Sequence, residues 1–250
     1  MEQNIKASTF GSLKDHNLFF SKHVSISYDT LEKDNSAEYK ILVQIEPLSV
    51  NNNIQDFCER SSDFDLVLTW HSDILETNNS KLFPFGTCWI EKDDRRIFPK
   101  NKNLSIIASH KNYAPGHILR HQIIHNYPED LSLYGRGYKS IENKITALKD
   151  YRFSLIIENE YSNNWFTEKL IDCLVTGTVP IFWGCPNIHK FFDPRGFILF
   201  NNIDQIPKIK SECNESAYKN LLPFIKKNYH SALEYVDIFD RITKTIKNEI

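Results

Sequence analysis

The strongest constraint on the fold is the stretch between positions 151 and 200, YRFSLIIENEYSNNWFTEKLIDCLVTGTVPIFWGCPNIHKFFDPRGFILF. Phe153 to Ile157 is an apolar run with the length of a buried strand, and it turns polar at Glu158-Asn159. A polar loop follows and ends at Thr167-Glu168-Lys169. From there Leu170, Ile171, Leu174 and Val175 recur at helical spacing, and Gly177 stops the pattern. Val179 to Trp183 is a second buried run, closed by Gly184. Strand, loop, helix and strand in that order predict a βαβ unit.

The polar chemistry of this unit gathers at one place. Glu158 and Asn159 fall at the carboxyl end of the first strand, where open α/β sheets form their ligand crevices. Thr167 is a good N-cap, with Glu168 and Lys169 in the first helical turn. A helix N-terminus offers backbone N–H groups and a positive dipole end to an anion. Lysine in a first turn opposes that dipole, so Lys169 asks for a compensating anion, and a phosphate is the obvious one. Glu168 suits the dipole and can accept hydrogen bonds from hydroxyl groups.

Glu158-Asn159, Thr167-Glu168-Lys169, Gly177 to Ile181, Trp183-Gly184 and Phe191 to Asp193 together resemble the signature of the α-1,3/1,4-fucosyltransferases, glycosyltransferase family 10. The resemblance is strong over 104–210 and followable over 40–90. It implies an α/β GT-B fold: two facing Rossmann-like domains with a cleft between them. Residues 1–95 would form an N-terminal acceptor-side domain, shorter than the family's usual one. Residues 104–230 would form the nucleotide-sugar-binding domain, and 231–250 a helix packing back on the first. The implied reaction moves L-fucose from GDP-fucose to a hydroxyl of a glycan acceptor, with inversion and without a metal or other cofactor.

Composition agrees with a globular enzyme: hydrophobic content is 41% and charged content 25%. A net charge of −2 gives no general attraction to nucleic acid or an anionic membrane surface. No apolar run approaches a membrane span, and MEQNIKASTF is not a signal peptide, so the expected setting is cytoplasmic, in a bacterium or a virus. The five cysteines form no CxxC pair and are expected to be reduced structural thiols. The histidines do not pair with cysteine or carboxylate at ligand spacing. Asp63-Phe64-Asp65 matches the DxD spacing of metal-dependent glycosyltransferases, but it straddles the start of a strand, the wrong end for a ligand.

Elsewhere the pattern predicts strands at Val24–Tyr28, Lys40–Ile45, Phe64–Thr69, Lys81–Phe85 and Leu104–Ala108, with helices at Asn53–Arg60 and Gly116–Asn126. The charged segment 91–103 is the expected linker, and Ile141–Leu148 a short helix. Glu46 stands where a strand stops, before Pro47. The family resemblance makes it the candidate general base, and a strand-end glutamate bonded to nearby backbone is the other reading. The resemblance also assigns Arg120 to the nucleotide diphosphate, as against an exposed helix arginine, with Lys111 as a second cation. Gly135-Arg136-Gly137 resembles the glycine-containing loop beneath the nucleotide. Trp165 would border the donor or pack the loop, and Asn187 would hold the donor loop or cap a helix.

The expected donor site is therefore Arg120, Gly135, Arg136, Glu158, Asn159, Trp165, Thr167, Glu168 and Lys169, with Glu46 as base. Two other functions remain open at this level. One is a family relative using another nucleotide-activated sugar. The other is a non-catalytic carbohydrate-binding protein.

Overall fold

The computed structural model describes residues 22–51 and 54–249, and the strand backbone of 2–3 and 18–19. The chain divides into two compact units: Met1–Phe85 with Asn163–Trp165 and Ile238–Ile250, and Gly86–Ser162 with Phe166–Asp237. The break between them in this part of the chain is at Phe85/Gly86 rather than in the charged segment 91–103. That segment belongs to the second unit and carries one 3-10 turn, Lys92–Asp94.

A two-residue antiparallel pair, β1 (Glu2–Gln3) and β2 (Leu18–Phe19), precedes the main sheet of the first unit. That sheet is parallel, in the order β3 (Val24–Tyr28), β4 (Tyr39–Val43), β5 (Leu66–Thr69), β6 (Ser80–Leu82). Side chains alternate between its faces with the two-residue period of a strand. Leu42 and Val67 turn toward Phe57 of α1 (Ile54–Arg60). Ile41, Val43, Leu66 and Leu68 turn toward Ile238, Ile242 and Ile246, which recur every four residues along α6 (Ile238–Lys247). Covered on both faces, Ile41, Leu42 and Val43 are 0% exposed, as expected of a parallel strand with no polar alternation. β6 ends two residues before Pro84, so the strand expected to reach Phe85 is shorter. Asn53 of the expected helix lies outside the described residues.

The second unit holds a five-stranded parallel sheet: β8 (Ser132–Tyr134), β7 (Lys102–Ile107), β9 (Tyr151–Ile157), β10 (Val179–Trp183), β11 (Ile198–Leu199). Numbered along the chain, that order is 2-1-3-4-5, the flavodoxin-like arrangement, whose topological switch point falls between β7 and β9. One face packs on α2 (Pro115–Asn126), α4 (Ile206–Glu212) and α5 (Glu215–Leu233) through Ile123, Ile209 and Ile225. The other packs on α3 (Glu168–Leu174), where Ile156 and Phe182 meet Leu170 and Leu174. The helix expected over 141–148 is a single 3-10 turn, Lys144–Ala147. Asn143 before it and Leu148 after it leave the helical region, which leaves room for one turn only.

None of the five cysteines is in a disulfide, and Cys173, Cys185 and Cys213 are buried. Among the described residues no helix is long and apolar enough to cross a membrane.

Candidate active site

The site is built on the carboxyl end of β9, beside the switch point of the second unit. The N-terminus of α2 is pressed against it. Gly116 donates its N–H to the Asn159 carbonyl at 2.9 Å, and a Cβ at position 116 would stand 1.6 Å from the Glu158 carbonyl oxygen. Only glycine fits that approach. One turn further along α2, Arg120 reaches back to the same strand end. Its Nε and Nη2 donate to the Ile157 carbonyl at 3.1 and 2.9 Å, and Nη2 also donates to Asn159 Oδ1 at 2.7 Å. Arg120 is thus buried rather than an exposed helix arginine, and two expected site residues, Arg120 and Asn159, are joined directly. Nη1 of Arg120 has no hydrogen-bond partner among the described residues, so the fork keeps donors to offer. Beside it, His117 Nδ1 accepts the Ala114 N–H at 3.2 Å, which requires a neutral ring. Burial, then the Arg120 cation, lowers His117 to about 4 and keeps it neutral.

Glu158, expected in the donor site, is bonded within the protein. Its side chain is 0% exposed, and its two oxygens accept from Thr167 N and Thr167 Oγ1, both at 2.8 Å. Glu158 thereby staples the loop to the start of α3. Gly184 makes room for it, since a Cβ there would lie 2.6 Å from Glu158 Cγ. Thr167 caps α3 as expected: its Oγ1 accepts from Lys169 N at 3.3 Å and from Lys169 Nζ at 3.0 Å. With one O–H donated and two lone pairs filled, that hydroxyl is saturated. The expected anion site on the helix N-terminus is weakened accordingly. α3 has seven residues, and the N–H of Lys169 already has its acceptor.

The charge at this point comes from side chains. Lys169 Nζ lies 3.5 Å from Glu158 Oε2 and 3.4 Å from Glu168 Oε1. Glu168 Oε1 in turn lies 3.3 Å from Lys144 Nζ, which also pairs with Asp172 Oδ2 at 2.9 Å. Asp172 accepts the Trp89 N–H through its other oxygen at 2.7 Å, and the Lys144 ammonium sits 4.1 Å from the centre of the Trp89 ring. Burial alone would raise the Glu168 carboxyl, but the Lys169 and Lys144 ammoniums outweigh it and hold the group near 2. Burial would lower Lys144, and its two carboxylate neighbours instead push it up to about 12. Glu168 and Lys144 are thus held as ions, whereas burial raises the Asp172 carboxyl against the pull of Lys144. Side-chain exposure is 27% for Lys169 against 20% for Lys144, 11% for Glu168, 1% for Asp172 and 0% for Glu158, so the row opens to solvent most at Lys169. Lys144 and Asp172 are absent from the expected site. Their spacing to Glu168, 24 positions back and four on, is no known sequence signal; helical phase alone puts Asp172 on the face of Glu168.

The glycine loop after β8 has left-handed backbone, with φ of +112° at Gly135 and +92° at Gly137. At Gly135 the close neighbour is protein: a Cβ would meet the Ala108 carbonyl at 2.0 Å. Arg136 is exposed on this loop, and Lys111 is exposed after β7. Asn187 Oδ1 accepts from the Cys185 thiol at 3.1 Å and makes no side-chain cap.

Trp165, expected either to border the donor or to pack the loop, is packed inside the first unit. Within the first unit its ring is 1% exposed, its Nε1 donates to the Ile45 carbonyl at 3.0 Å, and its centroid is 6.0 Å from that of Trp70. In the same unit Glu46 follows β4 and is half-buried. Its backbone N–H is held by Asp29, a residue that sequence reasoning passed over. Asp29 carboxylate oxygens accept from Ile45 N at 2.8 Å and from Glu46 N at 3.1 Å. Burial, with the Glu46 charge adding to it, raises Asp29 to about 7 against the pull of those amides. Asp63 and Asp65 are otherwise engaged, Asp63 with Lys33 and Arg60, Asp65 with the Lys40 N–H.

A sequence model described as "Glycosyltransferase family 10 (fucosyltransferase) C-term" matches residues 97–231, just over half of the chain. An alpha-(1,3)-fucosyltransferase, FucT, of Helicobacter pylori is 37% identical over 91 residues, 34% of this chain and 19% of that protein. An alpha-(1,4)-fucosyltransferase of Arabidopsis thaliana is 35% identical over 72 residues, 29% of this chain and 18% of that protein. The chain thus spans about a fifth of the length of these relatives. Among solved structures, an alpha1,3-fucosyltransferase with GDP-fucose superposes with a TM-score of 0.55 at 19% identity, covering 90% of this chain and 78% of that one. TarM superposes with a TM-score of 0.55 at 12% identity, covering 90% of this chain and 54% of its own. These likenesses give the α/β GT-B fold class, to which the two parallel-sheet units conform.

Proposed function

Because the chain belongs to glycosyltransferase family 10, the fucosyltransferases, we propose that it transfers L-fucose from GDP-fucose to a hydroxyl of a glycan acceptor, with inversion and without a metal ion. The observation that carries the reading is the charged row Lys144–Glu168–Lys169–Glu158, most open at Lys169 and standing beside the Arg120 fork at the switch point of a Rossmann-like unit. The structural neighbour solved with GDP-fucose supports the choice of donor.

Displacement at an anomeric carbon passes through an oxocarbenium-like state. It needs a base for the incoming hydroxyl and positive charge for the leaving diphosphate. Glu46 takes the proton of the acceptor hydroxyl as its oxygen bonds to the anomeric carbon. The bond from that carbon to the diphosphate oxygen breaks, and its electron pair leaves on GDP. Lys169 and the remaining Arg120 donors stabilise that developing charge, with Arg136 and Lys111 as further cations. Glu168, held ionised by its two lysines, accepts hydrogen bonds from donor hydroxyls. Asn159 and Thr167 keep these groups in place, and Gly135 lets the adjoining loop turn.

Incubation with GDP-fucose, N-acetyllactosamine and EDTA tests the reading. Fucosylated disaccharide is the expected product, and the anomeric proton signal of the new linkage reads inversion or retention. Product only after metal is restored would overturn metal independence, and product from another nucleotide-sugar would overturn the choice of donor.

A further inference from the structure

We propose that Asp29 is the positioning residue for Glu46: its carboxylate clamps the backbone on which the base is carried. The inference rests on Glu46 acting as the base. Asp29 follows β3 directly, where Glu46 follows the neighbouring strand β4. Its Oδ1 accepts from Ile45 N at 2.8 Å and from Glu46 N at 3.3 Å, and its Oδ2 accepts from Glu46 N at 3.1 Å. The clamp closes the end of the β3–β4 ladder. Asp29 N donates to the Val43 carbonyl at 3.0 Å, while the Asp29 carbonyl accepts from Asn51 Nδ2 at 3.2 Å. Pro47 follows Glu46 and restricts its backbone further.

Two features separate this from an ordinary strand end. Asp29 has φ +49°, a left-handed conformation that a side chain adopts at a cost. That turn aims the carboxylate across to β4 instead of along its own strand. And Asp29 is 8% exposed, buried beside a second acidic residue whose charge opposes its own ionisation. A neutral or smaller residue would relieve both costs. What Asp29 supplies is acceptors to two successive amides, which restrain the backbone of Glu46. A proton transfer in the transition state depends on that, since a displacement of about 1 Å at a reacting group can cost about 10²-fold in rate.

The variants Asp29→Gly and Asp29→Asn test it, because both residue types accept positive φ and so keep the turn: glycine removes the clamp, whereas the asparagine Oδ1 still accepts from both amides and only the Oδ2 bond is lost. Fucosyl transfer from GDP-fucose to N-acetyllactosamine is measured alongside GDP-fucose affinity by calorimetry and thermal melting. The expected result is a loss of kcat of about 10²-fold in Asp29→Gly and a much smaller loss in Asp29→Asn, with unchanged GDP-fucose Kd and little change in Tm. In the Glu46→Gln background, Asp29→Gly should then cost less than about twofold, because the group it positions is gone. Full kcat in Asp29→Gly, as large a loss in Asp29→Asn as in Asp29→Gly, or an undiminished effect of Asp29→Gly beside Glu46→Gln, would overturn the proposal while leaving the transferase reading intact. Loss of kcat, Kd and Tm together would make Asp29 structural and overturn it too. A wild-type chain that binds GDP-fucose but transfers nothing would overturn the base and its clamp together.

Discussion

The carbonyl oxygen of Glu158 occupies the space in which a side chain on Gly116 would begin, 1.6 Å from where that Cβ would stand. This contact lets the N-terminus of α2 dock on the end of β9, and it brings Arg120 within reach of Ile157 and Asn159. Gly116→Ala must push the two elements apart. It should cost about 3 kcal/mol of stability, the upper end of ordinary overpacking, since the obstacle is backbone. Thermal or urea unfolding measures this, and a variant as stable as wild type would mean that the two elements separate freely.

Arg120→Lys keeps the charge and loses the fork. A lysine cannot bond Ile157 and Asn159 with paired donors and still offer one to a ligand. Stability should fall by about 2 kcal/mol. GDP affinity should fall by about tenfold, read by calorimetry on the folded variant.

Lys144→Met leaves Glu168 and Asp172 without their shared cation. Breaking such a pair should cost about 3–5 kcal/mol. The pH dependence follows from the shifts. The Glu168 carboxyl is lowered from 4.5 to about 2, so its contribution is present above 4.5 and is lost as pH falls through 2. Lys144 is raised from 10.5 to about 12, so its contribution is present below 10.5 and is lost as pH rises through 12. The stability gap between wild type and variant should therefore be widest between pH 4.5 and 10.5 and close on either side. A gap independent of pH would show that the lysine acts by packing alone.

The sheets were legible in the sequence because burial on both faces writes strands such as Phe153–Ile157 and Val179–Trp183 as unbroken apolar runs. The cap at Thr167 was legible because it is local, one side chain to its own helix. Residues whose work is done at long range were not. Asp29 is a polar residue after a strand until Ile45 and Glu46 are seen to donate to it. Lys144 looks solvent-facing until Asp172, 28 positions on, is folded against it. Glu158 and Trp165 were expected at the donor, and the sequence could not say that Thr167 bonds to one and Ile45 anchors the other.

Lys169→Ala should weaken GDP binding by about 10- to 100-fold, the range of one or two charge-assisted contacts. Glu46→Gln should leave GDP binding unchanged and remove about 10²–10⁴ of turnover, the usual share of a general base. Unchanged affinity in the first variant would remove Lys169 from the diphosphate, and full turnover in the second would place the base elsewhere.

The central claim is that the row beside the switch point holds GDP-fucose through its own cations. Calorimetric titration of the wild-type chain with GDP-fucose, GDP and UDP-sugars, with EDTA throughout, tests it most directly. The expected result is micromolar binding of GDP-fucose and GDP with UDP-sugars far weaker. Absence of nucleotide binding, or equal binding of GDP- and UDP-sugars, would contradict it.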